Sequence, residues 1–489
     1  MSAAEGEGAN PVAAAVWGLV RAAQAEHPGR FALLDVDRSE ASLGRLDAAL
    51  ATGAEEPQLA LREGEALVPR LARGQGGAEG EEAPIDPAAT VLITGGTGGL
   101  GAAIARHLVE AGGARHLVLA SRSGGEAPGA AELRAVLEDR GAESVRIEAC
   151  DVADRASLAA LLDSIPAEHP LGVVVHSAAL LDDGVLESLD RQRLAPVLAA
   201  KAEAAWHLHE LTREMELSRF VLFSSLAGLL GTAGQANYAA ANAFLDALAI
   251  HRRAAGLPAT SIAWGALDVG SSLASEAEAS QIAELVRRRL GVVPMPLTRA
   301  LELFDAASSL GEPLLAAAEF DPGTLRARGK DGALPAVQRD LVRAPARPGG
   351  EVITLEQRLA GVPPEEREAV ALDLVRTHAA AVLGHDSAEA VESDRPFQEL
   401  GFDSLAAVEL RNRLGTATGS PLPPTLVFDY PTATALARHL LAEAVPGEAE
   451  ASPRGGGDEL EDDEEIERID SMDVDELVER SLAARGGAE

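Results

Sequence analysis

The sequence predicts an α/β protein built on a doubly wound parallel sheet, followed by a small all-α bundle and a terminal helix. Three patterns carry this expectation. Short apolar runs at residues 90–94, 116–120, 145–149, 172–176, 220–223 and 259–264 alternate with helical stretches, the rhythm of β-α-β units whose strands are buried on both faces. The first of these runs passes straight into GGTGGLG and then into a helix over residues 102–111, the strand, loop, helix order of a nucleotide site. Beyond a Pro-, Gly- and Arg-rich stretch at 322–350 the pattern is helical, at 365–383 and again after Ser404.

Composition sets the bounds. At 489 residues the chain holds several cores, and 47% hydrophobic with 24% charged residues describes an ordinary α/β protein. No apolar run is long enough to span a bilayer and the start lacks a leader pattern, so a cytoplasmic address with no membrane partner is expected. A formal charge of −35 argues against nucleic acid. The single cysteine, Cys150, excludes an internal disulfide, no metal site is expected, and Cys150 itself reads as a core or pocket-rim thiol.

In chain order, residues 11–26 read as an amphipathic helix, 31–36 as a strand, 43–52 as a second helix, and 58–62 and 66–71 as short strands about a Glu63-Gly64 turn. This is a fragment of an α/β unit with no glycine loop. Residues 74–83, GQGGAEGEEA, are a flexible joint by composition. The next strand delivers Thr94 to Gly95, Gly96, Thr97, Gly98, Gly99, Leu100 and Gly101. Glycines there let the backbone turn tightly and let amides approach a pyrophosphate at the positive end of the following helix. The strand after it ends in Ser121 and Arg122, where an NAD enzyme usually shows a carboxylate. An arginine suits a 2′-phosphate, so NADPH is expected, the plainer reading of Arg122 being a solvated loop cation.

The strand at 145–149 leads to Cys150, Asp151 and Val152, and that at 172–176 leads to Ser177, Ala178 and Ala179, all at the sheet's carboxyl edge. Leu181, Asp182 and Asp183 before a glycine read plainly as a solvated turn. Lys201 lies in a helical stretch with little other charge near it, and by itself would be a surface lysine. The strand at 220–223 ends in Ser224 and Ser225, leaving a hydroxyl at its carboxyl end. After Gly228, Gly231 and Gly234 a helical segment carries Tyr238, with Asn242 on the same face, so that Ser225, Tyr238 and Asn242 can converge. Residues 267–293 are expected to form a mobile lid, and 297–320 a closing helix and strand.

Toward the carboxyl end, Ser404 stands at a helix start in LGFDSLAAVELRNRL, beside Asp403. It is either a simple N-cap or an exposed hydroxyl for modification, and an esterified phosphate there would meet the favourable end of the helix. An acidic spacer follows, then Ile466, Ile469, Met472, Val474, Leu477, Val478 and Leu482 at the spacing of an amphipathic helix. The alternative is a solvated tail.

The set Lys201, Ser225, Tyr238 and Asn242, downstream of Thr94, Gly95, Gly99 and Gly101 in T-G-x-x-x-G-x-G spacing, resembles the ketoreductase domain of modular polyketide synthases. This is a branch of the short-chain dehydrogenase/reductase superfamily. Most of that superfamily places the lysine after the tyrosine and the asparagine on an earlier helix; polyketide ketoreductases exchange the two, as here. The resemblance implies a Rossmann-type sheet and hydride delivery from NADPH to the 3-keto carbon of a carrier-bound polyketide acyl thioester. Tyr238 would be the proton donor and Ser225 would hydrogen-bond the alkoxide. Lys201 would lower the phenol pKa and orient the ribose, and Asn242 would hold a water or the lysine in a proton relay. Asp151 and Val152 would lie at the adenine edge, with Ser177, Ala178 and Ala179 under the cofactor. Leu181, Asp182 and Asp183 resemble the mark of B-type enzymes, which make the D-configured alcohol, and Leu230 stands where A-type enzymes carry tryptophan.

The Ser404 motif, with the helix before it and FDYPTATALARHL after it, resembles an acyl carrier protein, implying 4′-phosphopantetheine attached by a phosphopantetheinyl transferase. The expected division is residues 1–73, the remnant of a structural half; 74–84, the joint; 85–325, the catalytic ketoreductase; 326–354, a linker; 355–445, the carrier; 446–463, an acidic spacer; and 464–489, a docking helix for the next synthase polypeptide. The resemblance implies further strands of the structural half upstream, so the chain is expected to be a piece of a larger, dimeric synthase with further domains upstream. Two competing readings are a silent scaffold that only tethers acyl chains, disfavoured by the full catalytic set, and a reductase that releases aldehydes, in which the carrier usually comes first.

Overall fold

The chain begins with helix α1 (Pro11–Glu26), strand β1 (Leu33–Val36), short helices α2 (Glu40–Leu43) and α3 (Leu46–Thr52), and strands β2 (Gln58–Arg62) and β3 (Glu65–Leu67). Asn10 starts α1 by accepting the N–H groups of Val12 and Ala13, with Pro11 in the first turn, where its missing donor costs nothing. The single helix expected over 43–52 is two, divided at Gly44 and Arg45. β2 pairs in parallel with β1 and antiparallel with β3.

The central unit follows as β4 (Thr90–Thr94), α4 (Gly99–Glu110), β5 (His116–Ser121), α5 (Ala130–Asp139), β6 (Ser144–Ala149), α6 (Arg155–Asp163) and β7 (Leu171–His176). Next come α7 (Arg191–Leu198), a π-helical turn (Ala199–Glu203), α8 (Ala204–Thr212), β8 (Arg219–Ser225), α9 (Leu226–Leu230), α10 (Ala236–Ala254), β9 (Thr260–Trp264), α11 (Leu297–Ser309) and β10 (Leu314–Ala317). Among the described residues these strands form one parallel sheet in the order β10-β9-β8-β7-β4-β5-β6. Alternation along β4 sends Val91 and Ile93 into one core with Ile104, Leu119 and Phe304, and Leu92 into the other with Val174, Phe220 and Leu245. The strand order reverses between β4 and β7, the switch point outside whose carboxyl edge ligands of such sheets bind.

α1 lies directly on α10. A Cβ on Gly18 would come within 2.3 Å of the Ala239 carbonyl oxygen, so only glycine permits this approach. The stretch expected as linker is structured in part. Pro322–Lys330 is helical with Leu325 buried, and Val337 accepts the Leu71 N–H at 2.7 Å, tying it to the N-terminal unit. Apolar residues that find a groove leave solvent whatever the surrounding composition.

The carrier part has helices α12 (Pro364–Leu383), α13 (Ser404–Thr418) and α14 (Ala433–Ala444), which share a core of Leu374, Phe397, Leu410, Leu414 and Leu436. The computed structural model describes residues 2–3, 6–53, 56–74, 85–268, 286–288, 290–330, 334–342, 354–383, 385, 387–420, 422–423 and 425–444. Much of the expected lid and joint, and all of the acidic spacer and docking helix, lie outside the described residues. No helix among the described residues is long and apolar enough to cross a membrane.

Candidate active site

The four predicted catalytic residues come from three elements and meet. Lys201 projects from the π-helical turn and is 2% exposed; such turns recur at functional sites because they re-aim one side chain. Its ammonium donates to the Phe223 carbonyl at 2.7 Å and to Asn242 Oδ1 at 2.8 Å, and lies 5.2 Å from the centre of the Tyr238 ring. Asn242 in turn donates from Nδ2 to the Tyr238 carbonyl at 2.8 Å. Ser225 ends β8, and its hydroxyl accepts the Ala227 N–H at 3.2 Å, so its own proton is left for a donor role.

Burial governs the charges. Desolvation pulls Lys201 down to about 7, against the opposing pull of Asp246. The Tyr238 phenol is pushed up, first by desolvation and further by Asp183, while hydrogen bonding with Asn242 and Ser225 draws it down. The Lys201 ammonium lies against the Tyr238 ring, with two of its three N–H groups engaged by Phe223 and Asn242. The phenol is therefore a protonated acid at neutral pH.

The glycine loop is built for a nucleotide. Gly95 has φ +69°, and a Cβ there would lie 2.9 Å from Ala178 N; one on Gly101 would lie 2.4 Å from Gly95 O and 2.9 Å from Ser177 Oγ. These two positions need glycine for packing. A Cβ on Gly99 meets nothing within 4 Å, so space lies open at the start of α4, where the amides that precede the Ala102 N–H to Gly98 carbonyl bond have no intrahelical acceptor. That space and those donors fit a pyrophosphate. Thr94 and Ser177 hold the rim: Ser177 Oγ donates to Thr94 O at 2.7 Å. Ser121 Oγ accepts the Gly124 N–H at 3.1 Å, and Arg122 is exposed beyond it. Asp151 accepts the Ala153 N–H and so braces its own turn, Val152 is buried, and Ala179 is exposed.

In the carrier part, Ser404 is the first residue of α13 and is exposed, while Asp403 Oδ1 accepts the Ala406 N–H at 2.7 Å. The cap is Asp403, which leaves the serine hydroxyl free.

Comparison with known proteins agrees with this geometry. Residues 89–269 match the KR domain family, 1–71 the polyketide synthase extender module SpnB Rossmann fold domain, and 373–440 the phosphopantetheine attachment site. The solved structure described as "Structure of A-type Ketoreductases from Modular Polyketide Synthase" is 40% identical at a TM-score of 0.63, covering 69% of this chain and 71% of that one. The chain belongs to the modular polyketide synthase ketoreductases. It is also 53% identical over 88% of its length to the spectinabilin polyketide synthase system protein NorA' of Streptomyces orinoci, and 51% identical over 88% to the polyketide synthase GfsA of Streptomyces halstedii. It spans only 12% and 6% of those two relatives' lengths. A ketoreductase domain and a phosphopantetheine attachment site are thus joined on one polypeptide, the first implying NADPH and the second covalent phosphopantetheine.

Around the ketoreductase site stand residues that sequence reasoning did not assign. His176, at the end of β7, is fully buried and held down at about 3 by desolvation and by Lys201. Its Nε2 faces the Lys201 carbonyl at 3.0 Å and so carries the proton, while Nδ1 accepts from Thr94 Oγ1 at 2.7 Å. Asp246 lies one further turn along the Tyr238 and Asn242 face of α10, is raised to about 6 by burial, and accepts the Ser261 hydroxyl at 2.6 Å. That periodicity was the available signal for it.

The Leu181 to Asp183 segment is more than a solvated turn. Arg193 donates to Asp182 Oδ1 at 2.9 and 2.7 Å, and Gln235 to Asp183 Oδ2 at 2.8 Å. Asn237 donates to the Asp182 carbonyl at 2.8 Å. The segment is thereby stitched to the loop that precedes Tyr238, while Leu181 stays 61% exposed. Glu26, at the end of α1, is fully buried and accepts the Gly234 N–H at 2.9 Å and the Leu186 N–H at 2.7 Å. The N-terminal unit therefore helps set the catalytic loop.

Proposed function

We propose that this chain reduces the 3-keto group of a carrier-bound polyketide acyl thioester to a D-configured 3-hydroxy group, with the acyl chain held by 4′-phosphopantetheine on Ser404. The observation that carries the reading is the convergence of Lys201, Asn242 and Tyr238 at the carboxyl edge of the sheet whose strand β4 leads into the glycine loop. NADPH, held there, would supply the hydride for the carbonyl carbon. Tyr238 would give its proton to the carbonyl oxygen, and Ser225 would donate a hydrogen bond to that oxygen. Lys201 is fixed by Asn242 and Phe223, within reach of a ribose and of the tyrosine ring. Gly95 to Gly101, with Thr97 and Leu100 between them, would cradle the pyrophosphate and Arg122 the 2′-phosphate, with Ser121, Asp151, Val152 and Ser177 to Ala179 along the rest of the cleft.

The Leu181, Asp182 and Asp183 motif supports the B-type reading, and the bonds of Asp182 and Asp183 to Arg193, Gln235 and Asn237 place it against the loop beside Tyr238. The chain would work in the cytoplasm as part of a dimeric synthase. It would receive acyl chains from upstream domains, its arm from a phosphopantetheinyl transferase, and its successor through residues 464–489. The deciding experiment is Tyr238→Phe assayed by NADPH oxidation with a soluble 3-ketoacyl thioester. A loss of at least about 10²-fold is expected for removal of the general acid; undiminished turnover would overturn the assignment. Chiral analysis of the alcohol from a 2-methyl-3-ketoacyl thioester tests the stereochemistry, an L-configured product overturning it.

A further inference from the structure

Helix α13 of the carrier rests on the ketoreductase through a polar contact. Arg411 is only 5% exposed, although the apolar side of its helix, Leu410 and Leu414, faces the carrier core. Its guanidinium donates to the backbone carbonyl of Glu26 and, at 2.7 Å, to Asn412 Oδ1. Asn412 Nδ2 donates to the carbonyls of Ala25 at 3.1 Å and Glu26 at 3.4 Å.

Those carbonyls close α1, whose last turn holds no basic side chain of its own. The final carbonyls of a helix lack internal donors and form its negative end, which favours a cation. Here the carrier supplies one. Desolvation draws the Arg411 guanidinium below its ordinary value; the Glu187 and Glu26 carboxylates oppose that and the Arg30 charge adds to it. Nearer the start of α13, Leu405 Cδ1 lies 3.5 Å from where a Cβ on Gly234 would stand. The residue next to Ser404 thus touches the loop that leads into Tyr238.

We infer that the carboxyl end of α1, together with the Gly234 turn, is the seat on which this chain's own carrier docks to present its acyl arm. Arg411 and Asn412 are the side chains that select that pose. The inference rests on the ketoreductase reading above and adds the surface through which the substrate arrives.

The test uses the full chain loaded at Ser404 with an acetoacetyl-phosphopantetheine arm, and compares single-turnover NADPH oxidation of that arm with turnover of a soluble acetoacetyl thioester. Arg411→Ala should slow reduction of the tethered substrate about tenfold or more, the weight of one charge-assisted hydrogen bond, and Asn412→Ala, which removes neutral bonds, about fivefold. Both should leave the soluble reaction within about twofold, and Arg411→Lys, which keeps a cation at the helix end, should recover part of the loss. The mass shift at Ser404 reports a folded carrier in each variant, and Asn412→Ala, which removes no charge, decides if Arg411→Ala fails to load. Tethered rates within about twofold of wild type, or tethered and soluble rates falling in parallel, would overturn the docking seat. A wild-type chain that reduces neither substrate would instead overturn the ketoreductase reading beneath it.

Discussion

Replacing Glu26 with alanine measures how firmly the N-terminal unit holds the catalytic loop. The Glu26 carboxylate is fully buried and serves two amides, Gly234 and Leu186, on the two loops that flank the tyrosine. Those loops are also joined directly, through the Gly184 N–H to the Gly234 carbonyl at 2.7 Å. Truncation orphans both amides. An orphaned buried donor costs about 1–3 kcal/mol, so two set a range of roughly 2–6 kcal/mol, of which water entering the vacated space relieves part. A destabilisation of about 2–4 kcal/mol is expected. Glu26→Gln keeps one acceptor and turns an NH₂ toward the other amide, so it should cost about half as much. Urea unfolding followed by tryptophan fluorescence gives a clean reading, because Trp17, Trp206 and Trp264 all precede the carrier and report the reductase alone. Under native conditions, kcat/KM for a soluble thioester should fall about tenfold, since a slackened Gly234 turn misplaces the phenol. A stability loss below about 0.5 kcal/mol with kcat/KM intact would refute the reasoning, because two buried charge-assisted bonds cannot vanish at so small a cost.

Three further outcomes are open to measurement. Burial holds folded Lys201 at about 7 against an ordinary 10.5, so between those values the unfolded chain binds more protons and stability rises with pH. Lys201→Met should therefore be more stable than wild type at pH 6, lose that advantage toward pH 10 and reduce no substrate; a stability difference constant across that range would count against a desolvated ammonium. Gly99→Val places its side chain in open space and should leave the unfolding midpoint within about 0.5 kcal/mol of wild type while weakening NADPH about tenfold or more in a fluorescence titration, whereas Gly101→Val, at 2.4 Å from Gly95 O, should fail in both. Ser404→Ala should abolish the phosphopantetheine mass shift and leave soluble-thioester turnover unchanged; a shift that persists would place the arm elsewhere.

What the sequence made legible and what it did not divide along physical lines. β4 and β7 were readable because every residue in them is buried, so apolarity was continuous. The Gly99 space and the exposed Ser404 were readable because local chain chemistry, a glycine turn and an acidic cap, fixes both within a few residues. Asn242 was readable from its four-residue spacing on the Tyr238 face, whereas Lys201 was readable only through the exchange of lysine and asparagine relative to the tyrosine, since alone it does not depart from a surface lysine. Glu26 was invisible for a different reason. Its partner Gly234 is 208 residues away and is engaged through a backbone amide, which no residue type advertises. The same holds for Arg411, which meets a carbonyl 385 residues distant. Composition divides the chain at the glycine- and glutamate-rich joint after residue 74, and that division separates α1 from the site. Packing reunites them, because small residues along α1 let it lie on α10, and that close approach carries Arg21 to the Gly228 carbonyl at 2.6 Å and Glu26 to the tyrosine loop. An element that reads as a remnant is therefore where the phenol's loop is braced and the carrier helix rests, so a reductase cut free of α1 would lose the geometry of its acid although every catalytic residue remained in the chain.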